Sequence, residues 1–369
     1  MKKITLFLLL CVNICFAQEL ALVRQNGKFG YITKKGDFAV KPQYDKAKSF
    51  SDGLAAVNEN GKWGFINTKG EWAVKPQFDG INEFNSGLCV VEKDKEQFYI
   101  NKKGETVKMP QSDKLYTFEN GVAFIKRGNK VGLINAKGEV VTEPKFDVIK
   151  SFEGNYARVK NADKWGIIDK SGKIIIEPEY QEIGNYFKGV AWARSGESFG
   201  LVIAGKFKVV DGADKIWDFA TQDITYARKA KKIGFIDLKG NWVIEPKFDK
   251  VREFAKNLAP VYENKKWGYI NTTGAFAIEP TFNDAEVFSE AGLAPVKVGD
   301  SWGFIDAKGT LVIPAKYGIT AGGLSLFTSE PKGFIGGVAR VKFEKKWGFL
   351  DATGKVLGDQ WYENAELFN

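Results

Sequence analysis

Short apolar runs, separated by polar residues and glycines, recur along the whole chain. The clearest example is Lys62–Ile66, which is followed by a polar turn over 67–70 and by a second apolar run over 71–75. These runs are rich in β-branched and aromatic residues, which favour strands. The i, i+3, i+4, i+7 spacing of an amphipathic helix is not sustained in any window of the sequence. The pattern therefore predicts an all-β chain.

The same pattern repeats at a fixed interval, marked by an anchor dipeptide that is most often Trp-Gly. Successive anchors lie 34 residues apart seven times, then 35 and then 45. A glycine follows most anchors by seven residues, and a proline follows seven of them by thirteen. The anchors are Phe29-Gly30, Trp63-Gly64, Gln97-Phe98, Val131-Gly132, Trp165-Gly166, Phe199-Gly200, Ile233-Gly234, Trp267-Gly268, Trp302-Gly303 and Trp347-Gly348. This regularity predicts a tandem array of ten ~34-residue β-meander or hairpin repeats.

The second copy illustrates the strands expected in each unit. A first strand over 53–57 is joined to a second strand over 63–66 by Asn60-Gly61, a dipeptide that suits a two-residue hairpin. The turn over 67–70 has the length of a type I turn that ends in a left-handed glycine. Each unit is thus expected to open as a tight antiparallel meander.

The third strand and the connector complete the predicted unit. The third strand covers 71–75 and is expected to stop at Pro76, which cannot donate to a ladder. The connector over 77–85 carries an aspartate that recurs after its first aromatic residue, and this side chain is expected to cap local backbone and to open a helical turn. No Asp-x-Asp-x-Asp-Gly spacing accompanies these aspartates, which disfavours calcium. The recurring residues are Asp45, Asp79, Asp113, Asp147 and Asp249.

The adjacent tryptophan and glycine of the anchor have separate physical roles. Tryptophan supplies a large apolar area that can hold neighbouring units together, and glycine lets another backbone or an indole approach closely. A single unit cannot bury its apolar face, so the units must stack, and residues 18–369 are expected to form one domain. Both an open superhelix and a closed propeller-like ring fit this count. Because ten blades would make a large ring, the open superhelix is the favoured expectation.

The first seventeen residues predict a signal peptide, because Lys2 and Lys3 precede a short apolar run that ends at Ala17. We therefore expect export to the periplasm, the cell surface or the medium. Export would remove two of the three cysteines and leave Cys89, so no internal disulfide is expected. No later stretch reaches eighteen consecutive apolar residues, so no transmembrane segment is expected in the mature chain.

Composition excludes several chemistries. The sequence contains no histidine, which removes histidine-dependent triads and histidine metal sites, and we expect neither a metal nor a cofactor. Loss of Lys2 and Lys3 leaves 52 basic and 45 acidic residues, a net charge of +7. These charges alternate along the chain, which indicates a solvated surface and no nucleic-acid partner.

Two features are candidate binding sites. Insertions in repeat proteins often lie on the binding face, and about ten extra residues fall between Tyr317 and Val338; the candidates there are Phe327 and Phe334. A row of aromatic residues two positions after the turn glycine would either stack on a ligand or fill the seam between units. This row consists of Phe38, Trp72, Phe207, Trp242 and Phe276.

The repeated residues resemble the WG repeat family, named for its Trp-Gly step. Lys62 to Asn67, with Gly70, Val74 and Pro76, match its motif, and the resemblance extends over 21–369. It implies a bacterial, secreted or envelope-associated binding or scaffolding role and carries no catalytic residues. We therefore expect a non-catalytic scaffold for an unidentified protein partner. A carbohydrate- or cell-wall-binding module that uses the aromatic row is the alternative. A hydrolase with the acid pair Glu177 and Glu179, or Glu143 and Asp147, is a further one.

Overall fold

The computed structural model describes residues 19–319 and 332–369. The expected signal peptide and Phe327 lie outside these ranges. The described residues form 38 β-strands and one 3-10 turn over Leu357–Asp359, with no α-helix among them. Within the same ranges, no helical segment has the length and apolar character that crossing a bilayer would require. The all-β prediction is confirmed.

The strands form ten antiparallel sheets, and the first five sheets follow the chain in order. Sheet 1 contains β1 (Ala21–Gln25), β2 (Lys28–Ile32) and β3 (Phe38–Tyr44); sheet 2 contains β4 (Lys46–Ser51), β5 (Leu54–Glu59), β6 (Lys62–Ile66) and β7 (Trp72–Phe78); sheet 3 contains β8 (Gly80–Ile81), β9 (Leu88–Lys93), β10 (Glu96–Asn101) and β11 (Thr106–Val107); sheet 4 contains β12 (Val122–Arg127), β13 (Lys130–Asn135) and β14 (Val140–Phe146); sheet 5 contains β15 (Val148–Ile149), β16 (Tyr156–Asn161), β17 (Lys164–Asp169) and β18 (Ile174–Tyr180).

The second five sheets continue the same arrangement. Sheet 6 contains β19 (Glu182–Ile183), β20 (Val190–Ser195), β21 (Ser198–Ile203) and β22 (Lys206–Val209); sheet 7 contains β23 (Lys215–Ile216), β24 (Ile224–Lys229), β25 (Lys232–Asp237) and β26 (Trp242–Phe248); sheet 8 contains β27 (Lys250–Val251), β28 (Leu258–Glu263), β29 (Lys266–Asn271) and β30 (Phe276–Phe282); sheet 9 contains β31 (Asp284–Ala285), β32 (Ala294–Val298), β33 (Ser301–Ile305) and β34 (Leu311–Tyr317); sheet 10 contains β35 (Phe334–Ile335), β36 (Val338–Phe343) and β37 (Lys346–Leu350). The last strand of the chain is β38 (Asn364–Phe368).

The two turns of sheet 2 form as their sequence predicts. Glu59 pairs with Lys62 across Asn60-Gly61, whose φ values of 52° and 82° are the positive angles that a two-residue hairpin of this kind requires. Gly70 adopts a φ of 80°, and its N–H donates to the carbonyl of Asn67 at 2.9 Å. Local residue chemistry therefore sets both turns.

Two details of the predicted unit are wrong. The third strand does not stop at the proline: β7 runs through Pro76 to Phe78, which pairs with Trp63 across a register shift. A proline is tolerated there because β7 is the edge strand of its sheet. The connector is not free of strands either, because Gly80 and Ile81 form β8 and pair with β9.

The glycine of the anchor is required by this same register shift. A Cβ at Gly64 would lie 2.7 Å from the backbone N of Pro76 and 2.7 Å from the carbonyl O of Val74. At Gly348 the atom in the way is instead an indole carbon of Trp361, at 2.8 Å. The prediction that this glycine admits a neighbouring backbone or an indole is confirmed for both cases.

The core lies in the seams between consecutive sheets. One cluster joins Phe65 and Phe78 of sheet 2 to Val91 of sheet 3 and to Phe84 in the connector between them. Anchor tryptophans pack in these seams: Trp302 lies in a cluster with Val341 of sheet 10. The described residues form ten such clusters, one for each pair of neighbouring sheets. The predicted role of the indoles in joining units is thereby confirmed.

The tenth cluster overturns the expected open superhelix. It joins sheet 10 to sheet 1, because Trp347 and Phe349 pack with Val23 and Ile32. Strand β38 pairs antiparallel with β1 and becomes the fourth strand of sheet 1. The N–H of Leu20 donates to the carbonyl of Asn369 at 3.0 Å.

The ten sheets are therefore the blades of a closed ring, a β-propeller arrangement. The open array was favoured because ten blades make a large ring. Closure depends instead on the angle between neighbouring blades, which the packing at each seam sets. A turn glycine packs against the preceding blade, as Gly70 does against Val40, and the same contact closes the ring where Gly36 meets Gly358. The ring closes because the last seam is packed like the others.

Candidate functional site

The turn between the second and third strands of most blades is held rigid by one side chain. In blade 2 the Oδ1 of Asn67 accepts hydrogen bonds from the N–H groups of Lys69 at 2.9 Å and Glu71 at 3.0 Å. An Asn or Asp does the same at Asn101, Asn135, Asp169, Asp237, Asn271, Asp306 and Asp351. The bond from the N–H of Thr310 holds the pKa of the Asp306 carboxyl below its usual value. These turns are preorganised by their own side chains.

Each such turn presents an exposed residue just before its glycine. That residue is lysine in five of these turns and also in the turn of blade 1, where Oγ1 of Thr33 accepts a hydrogen bond from the N–H of Lys35 at 3.2 Å. We call these six the lysine turns; they carry Lys35, Lys69, Lys103, Lys137, Lys239 and Lys308. The exposed Glu71 lies two residues after Lys69, and Glu105 and Glu139 follow their lysines in the same way. The ring therefore repeats a rigid turn of mixed charge.

The aspartates that recur after the connector aromatic are structural. The Nζ of Lys130 donates to Oδ1 of Asp147 at 2.7 Å, and the N–H of Ala162 donates to Oδ2 of Asp147 at 2.9 Å. Lys62 and Asp79 form the same pair in blade 2. The bond from Lys130 keeps the pKa of the Asp147 carboxyl below its usual value. The expected backbone cap is confirmed, although it joins the next hairpin turn and no helical turn opens there.

The carboxylates considered for hydrolysis are arranged for solvation and pairing. Glu177 and Glu179 are both exposed on β18, on either side of Pro178. Oε2 of Glu143 accepts a hydrogen bond from Arg127 at 3.0 Å, and both side chains are about half exposed or more. Among the described residues, no group of three or more acids, cysteines or histidines is placed to hold a metal ion.

The aromatic row lies half-buried in the seams. The ring of Phe38 meets Tyr362 edge-on at 6.3 Å, and Trp72 meets Tyr44 of the preceding blade at 6.4 Å. The other rings pack in the same way: Phe207 lies 5.8 Å from Tyr180, the Nε1 of Trp242 donates to the carbonyl of Asp211 at 3.1 Å, and Phe276 packs against the cluster between blades 7 and 8. Seam filling was one of the two readings of this row, and its role in ligand binding stays a prediction.

The two candidates in the insertion have different positions. Phe334 is buried at 3% exposure, with its ring 5.2 Å from that of Phe304. Phe327 lies outside the described residues. A ligand could therefore reach Phe334 only after a rearrangement of the seam between blades 9 and 10.

Sequence reasoning did not single out a cavity of about 420 Å³ between blades 6 and 7. Trp192 and Trp217 line it, and both lie outside the anchors and outside the aromatic row. A signal was present in the sequence, because the sixth unit lacks its proline and displaces its turn glycine to Gly205. The departure from the motif marks the part of the ring that differs in structure.

Comparison with protein-family models finds one match, to the WG containing repeat. It covers residues 29–63, 63–96, 98–130, 132–165, 165–197, 233–267, 267–301 and 302–318. The sixth unit falls in the gap between the fifth and sixth of these segments. Comparison with curated proteins finds no match.

Several solved structures align with this chain at low sequence identity. A eukaryotic initiation factor is 10% identical with a TM-score of 0.48, and the alignment covers 95% of this chain and 98% of that one. Hsv2 of Kluyvelomyces marxianus is 10% identical with a TM-score of 0.30, over 61% and 90% of the two chains. PorZ, a bacterial surface component of the type-IX secretion system of Porphyromonas gingivalis, is 8% identical with a TM-score of 0.26, over 93% and 57%. All three TM-scores lie below 0.5, so the fold assignment rests on the strand pairing within this chain.

Proposed function

The chain belongs to the WG containing repeat family, and on that premise we propose that it is an exported, non-catalytic scaffold that holds protein partners on its lysine turns. The observation that carries this proposal is the repetition of one rigid, solvent-exposed turn around a closed ring. A loop that is already ordered loses little conformational entropy when a partner binds. Several equivalent loops on one rigid body can also engage a partner at more than one point, which raises the overall affinity.

The charge of these turns supports a protein partner. Lys69 and Glu71 are both exposed within one turn, and Oε2 of Glu71 accepts a hydrogen bond from the Nδ2 of Asn67 at 2.9 Å. Alternating charge of this kind complements a protein surface of alternating charge. A polyphosphate would meet a carboxylate beside each lysine, which disfavours nucleic acid.

The state of Glu143 and Asp147, one of the acid pairs considered for hydrolysis, supports a non-catalytic role. A general acid needs a pKa raised toward neutrality, as burial or a like charge produces. The Asp147 carboxyl has its pKa lowered by Lys130 instead, and Glu143 is paired with Arg127. The chain also contains no histidine to serve as a proton shuttle.

Affinity capture from the cell envelope tests the scaffold, with the protein as bait. In the test variant the lysines of the lysine turns become serine, which blade 5 already carries in the same turn at Ser171. The control variant loses the same number of exposed lysines from other positions: Lys41, Lys75, Lys145, Lys247, Lys316 and Lys346. We expect the wild type and the control to retain the same proteins and the test variant to lose them.

Three results would contradict the proposal. The first is an unchanged set of partners for the test variant. The second is turnover of a polysaccharide that falls when Glu143 or Glu177 is replaced by glutamine. The third concerns export: the mature protein is expected in the envelope or the medium with Gln18 as its first residue, and an intact N-terminus on a cytoplasmic protein would refute this part.

A further inference from the structure

One structural position can be compared across six blades, because the same backbone hydrogen bond defines it. The residue after the short first strand donates its N–H to a carbonyl of the next strand; the donors and acceptors are Asn82 to Val90, Lys150 to Arg158, Gly184 to Trp192, Trp217 to Tyr226, Arg252 to Pro260 and Glu286 to Pro295. The donor has a polar or charged side chain in four of these six blades. Blade 6 has glycine there and blade 7 has tryptophan, and these two blades are neighbours.

The glycine of blade 6 makes room for a specific pair of side chains. A Cβ at Gly184 would lie 2.1 Å from Nε1 of Trp192 and 2.2 Å from Oδ1 of Asp218. The indole of Trp192 and the carboxylate of Asp218 thus occupy the space that a side chain fills in the other blades. Trp192 is also the bulkiest residue at its own position in these six blades. Gly184, Trp192 and Trp217 therefore all differ from their counterparts in the other blades, and they lie at one place in the ring.

Three aromatic residues line the 420 Å³ cavity: Trp192, Phe199 and Trp217. Trp192 and Phe199 contribute from blade 6, and their ring centroids are 6.3 Å apart. Trp217 contributes from the start of blade 7, where it packs against Tyr226 at 4.8 Å and its ring is 4.5 Å from the Nζ of Lys215. Trp192 and Trp217 are both about half-buried, so each offers part of its ring to the cavity.

The cavity also contains polar groups with unused hydrogen-bonding capacity. Oδ1 of Asp218 accepts hydrogen bonds from Nε1 of Trp192 at 2.7 Å and from the N–H of Asn185 at 2.8 Å. Within the described part of the chain, Oδ2 of Asp218 accepts no hydrogen bond. Arg228 donates through Nε to Asp214, and its two terminal nitrogens donate to no other described residue. An acceptor and a donor therefore remain for a ligand.

A second cavity of about 450 Å³ adjoins the first and shares Asp218 with it. Tyr156 of blade 5 and Tyr186 of blade 6 line this second cavity, with ring centroids 4.6 Å apart, and Asn155 and Asn185 line it beside them. Each cavity falls in the range of volumes that hold small ligands. Together they suit a ligand longer than a single ring.

We propose that these two cavities, which we call the blade 6–7 groove, bind a neutral oligosaccharide. Aromatic rings pack against the apolar faces of sugar rings, while a carboxylate and a guanidinium take up the hydroxyl groups at their edges. A phosphate or uronate would meet Glu182, Asp214 and Asp218 in the first cavity, which disfavours anions. A cation would meet Lys215 and Arg228 in the same cavity, so a neutral ligand is the better match.

Titration calorimetry of the full chain tests this inference. The probes are neutral oligomers of glucose, mannose and N-acetylglucosamine, from two to six residues long. We expect one of these series to bind, with affinity that rises with length until both cavities are filled. Trp217→Ala should reduce the affinity about tenfold or more, because an aromatic contact and its burial contribute on the order of 1.4 kcal/mol. Asp218→Asn, which keeps the shape of the side chain, should also weaken binding.

Asn82→Ala is the matched control, because Asn82 holds the same backbone position as Trp217 in a blade without the groove. Each variant is compared with the wild type by thermal unfolding, and binding is measured only where the melting temperature is retained. No binding by any of the three series would overturn the proposal. Unchanged affinity in both Trp217→Ala and Asp218→Asn would also overturn it. Loss of binding in Trp242→Ala with retention in Trp217→Ala would instead assign the glycan to the aromatic row.

This inference goes beyond the scaffold role and does not depend on it. The lysine-turn variant leaves the groove intact, so it should bind the oligosaccharide like the wild type even where it loses its protein partners.

Discussion

The strongest test of how this sequence specifies its fold is a single methyl group added at an anchor glycine. In Gly64→Ala the new Cβ would lie 2.7 Å from the N of Pro76, 2.7 Å from the O of Val74 and 2.9 Å from the C of Lys75. All three are backbone atoms of the edge strand, so no side-chain rotation can relieve the clash. Ordinary contact begins at about 3.4 Å, so β7 would have to move outward by roughly 0.7 Å at its register shift.

This displacement should lower the free energy of unfolding by about 3 kcal/mol, toward the upper end of the cost of overpacking. Gly61→Ala is the matched control: its Cβ would meet nothing within 4 Å, and only its φ of 82° is unfavourable, at about 1 kcal/mol. Urea unfolding followed by tryptophan fluorescence measures both losses. Hydrogen exchange of the β6 and β7 amides should accelerate more in Gly64→Ala than in Gly61→Ala. A loss in Gly64→Ala no larger than that of the control would refute the role assigned to the anchor glycine.

Three further predictions concern ring closure, acid stability and the buried thiol. Deletion of 364–369 removes β38 and its Phe368, so we expect the free energy of unfolding to fall by about 3 kcal/mol. The β1 amides should then exchange faster with solvent, while those of blade 5 stay unchanged. Equal acceleration in all blades would contradict this. Lys62 lowers the pKa of Asp79, so the pair stabilises the fold at pH values above the unfolded-state pKa near 4, and this contribution is lost as the pH falls through the folded-state pKa. In acid titrations the difference in the free energy of unfolding between wild type and Asp79→Asn should therefore disappear at low pH. A difference that stays constant with pH would refute this. Burial raises the pKa of Cys89 to about 12, so iodoacetamide should modify the native protein far more slowly than the urea-unfolded chain, and comparable rates would count against burial.

Features set by neighbouring residues could be predicted from the sequence. The hairpin at Asn60-Gly61 and the turn that ends in Gly70 follow from residues that tolerate positive φ. The end of the third strand was mispredicted, because Pro76 forbids only a donor, and an edge strand does not need one at that position. The architecture was mispredicted for a different reason: the angle between blades adds up over ten seams, and no local motif marks the pairing of β1 with β38.

The candidate sites also divide into features that neighbouring residues set and features that depend on the fold. The lysine turns follow directly from the repeated motif, since a side chain within the turn accepts its backbone N–H groups: an Asn or Asp in five of the six, as in blade 2, and Thr33 in blade 1. The groove between blades 6 and 7 depends on Gly184, Trp192 and Trp217, which the fold brings together from two units. The 34-residue spacing aligns Gly184 with Asp218, whereas the backbone hydrogen bonds align it with Trp217. Because the sixth unit is offset by one residue, a sequence alignment that uses only the 34-residue period does not place Gly184 and Trp217 at the same position.

Because the last blade packs against the first, the number of repeat units is constrained by the whole ring. An extra unit at the end of an open stack would leave every earlier junction unchanged. In this chain an extra unit would have to be accommodated by a small change of angle at all the junctions, because Leu20 and Asn369 must still meet. Gene duplication or loss of a single unit is thus penalised throughout the protein, whereas substitutions within one unit, such as the sixth, are absorbed where they occur. The sixth unit could consequently diverge and acquire a groove of its own while the count of ten stayed fixed.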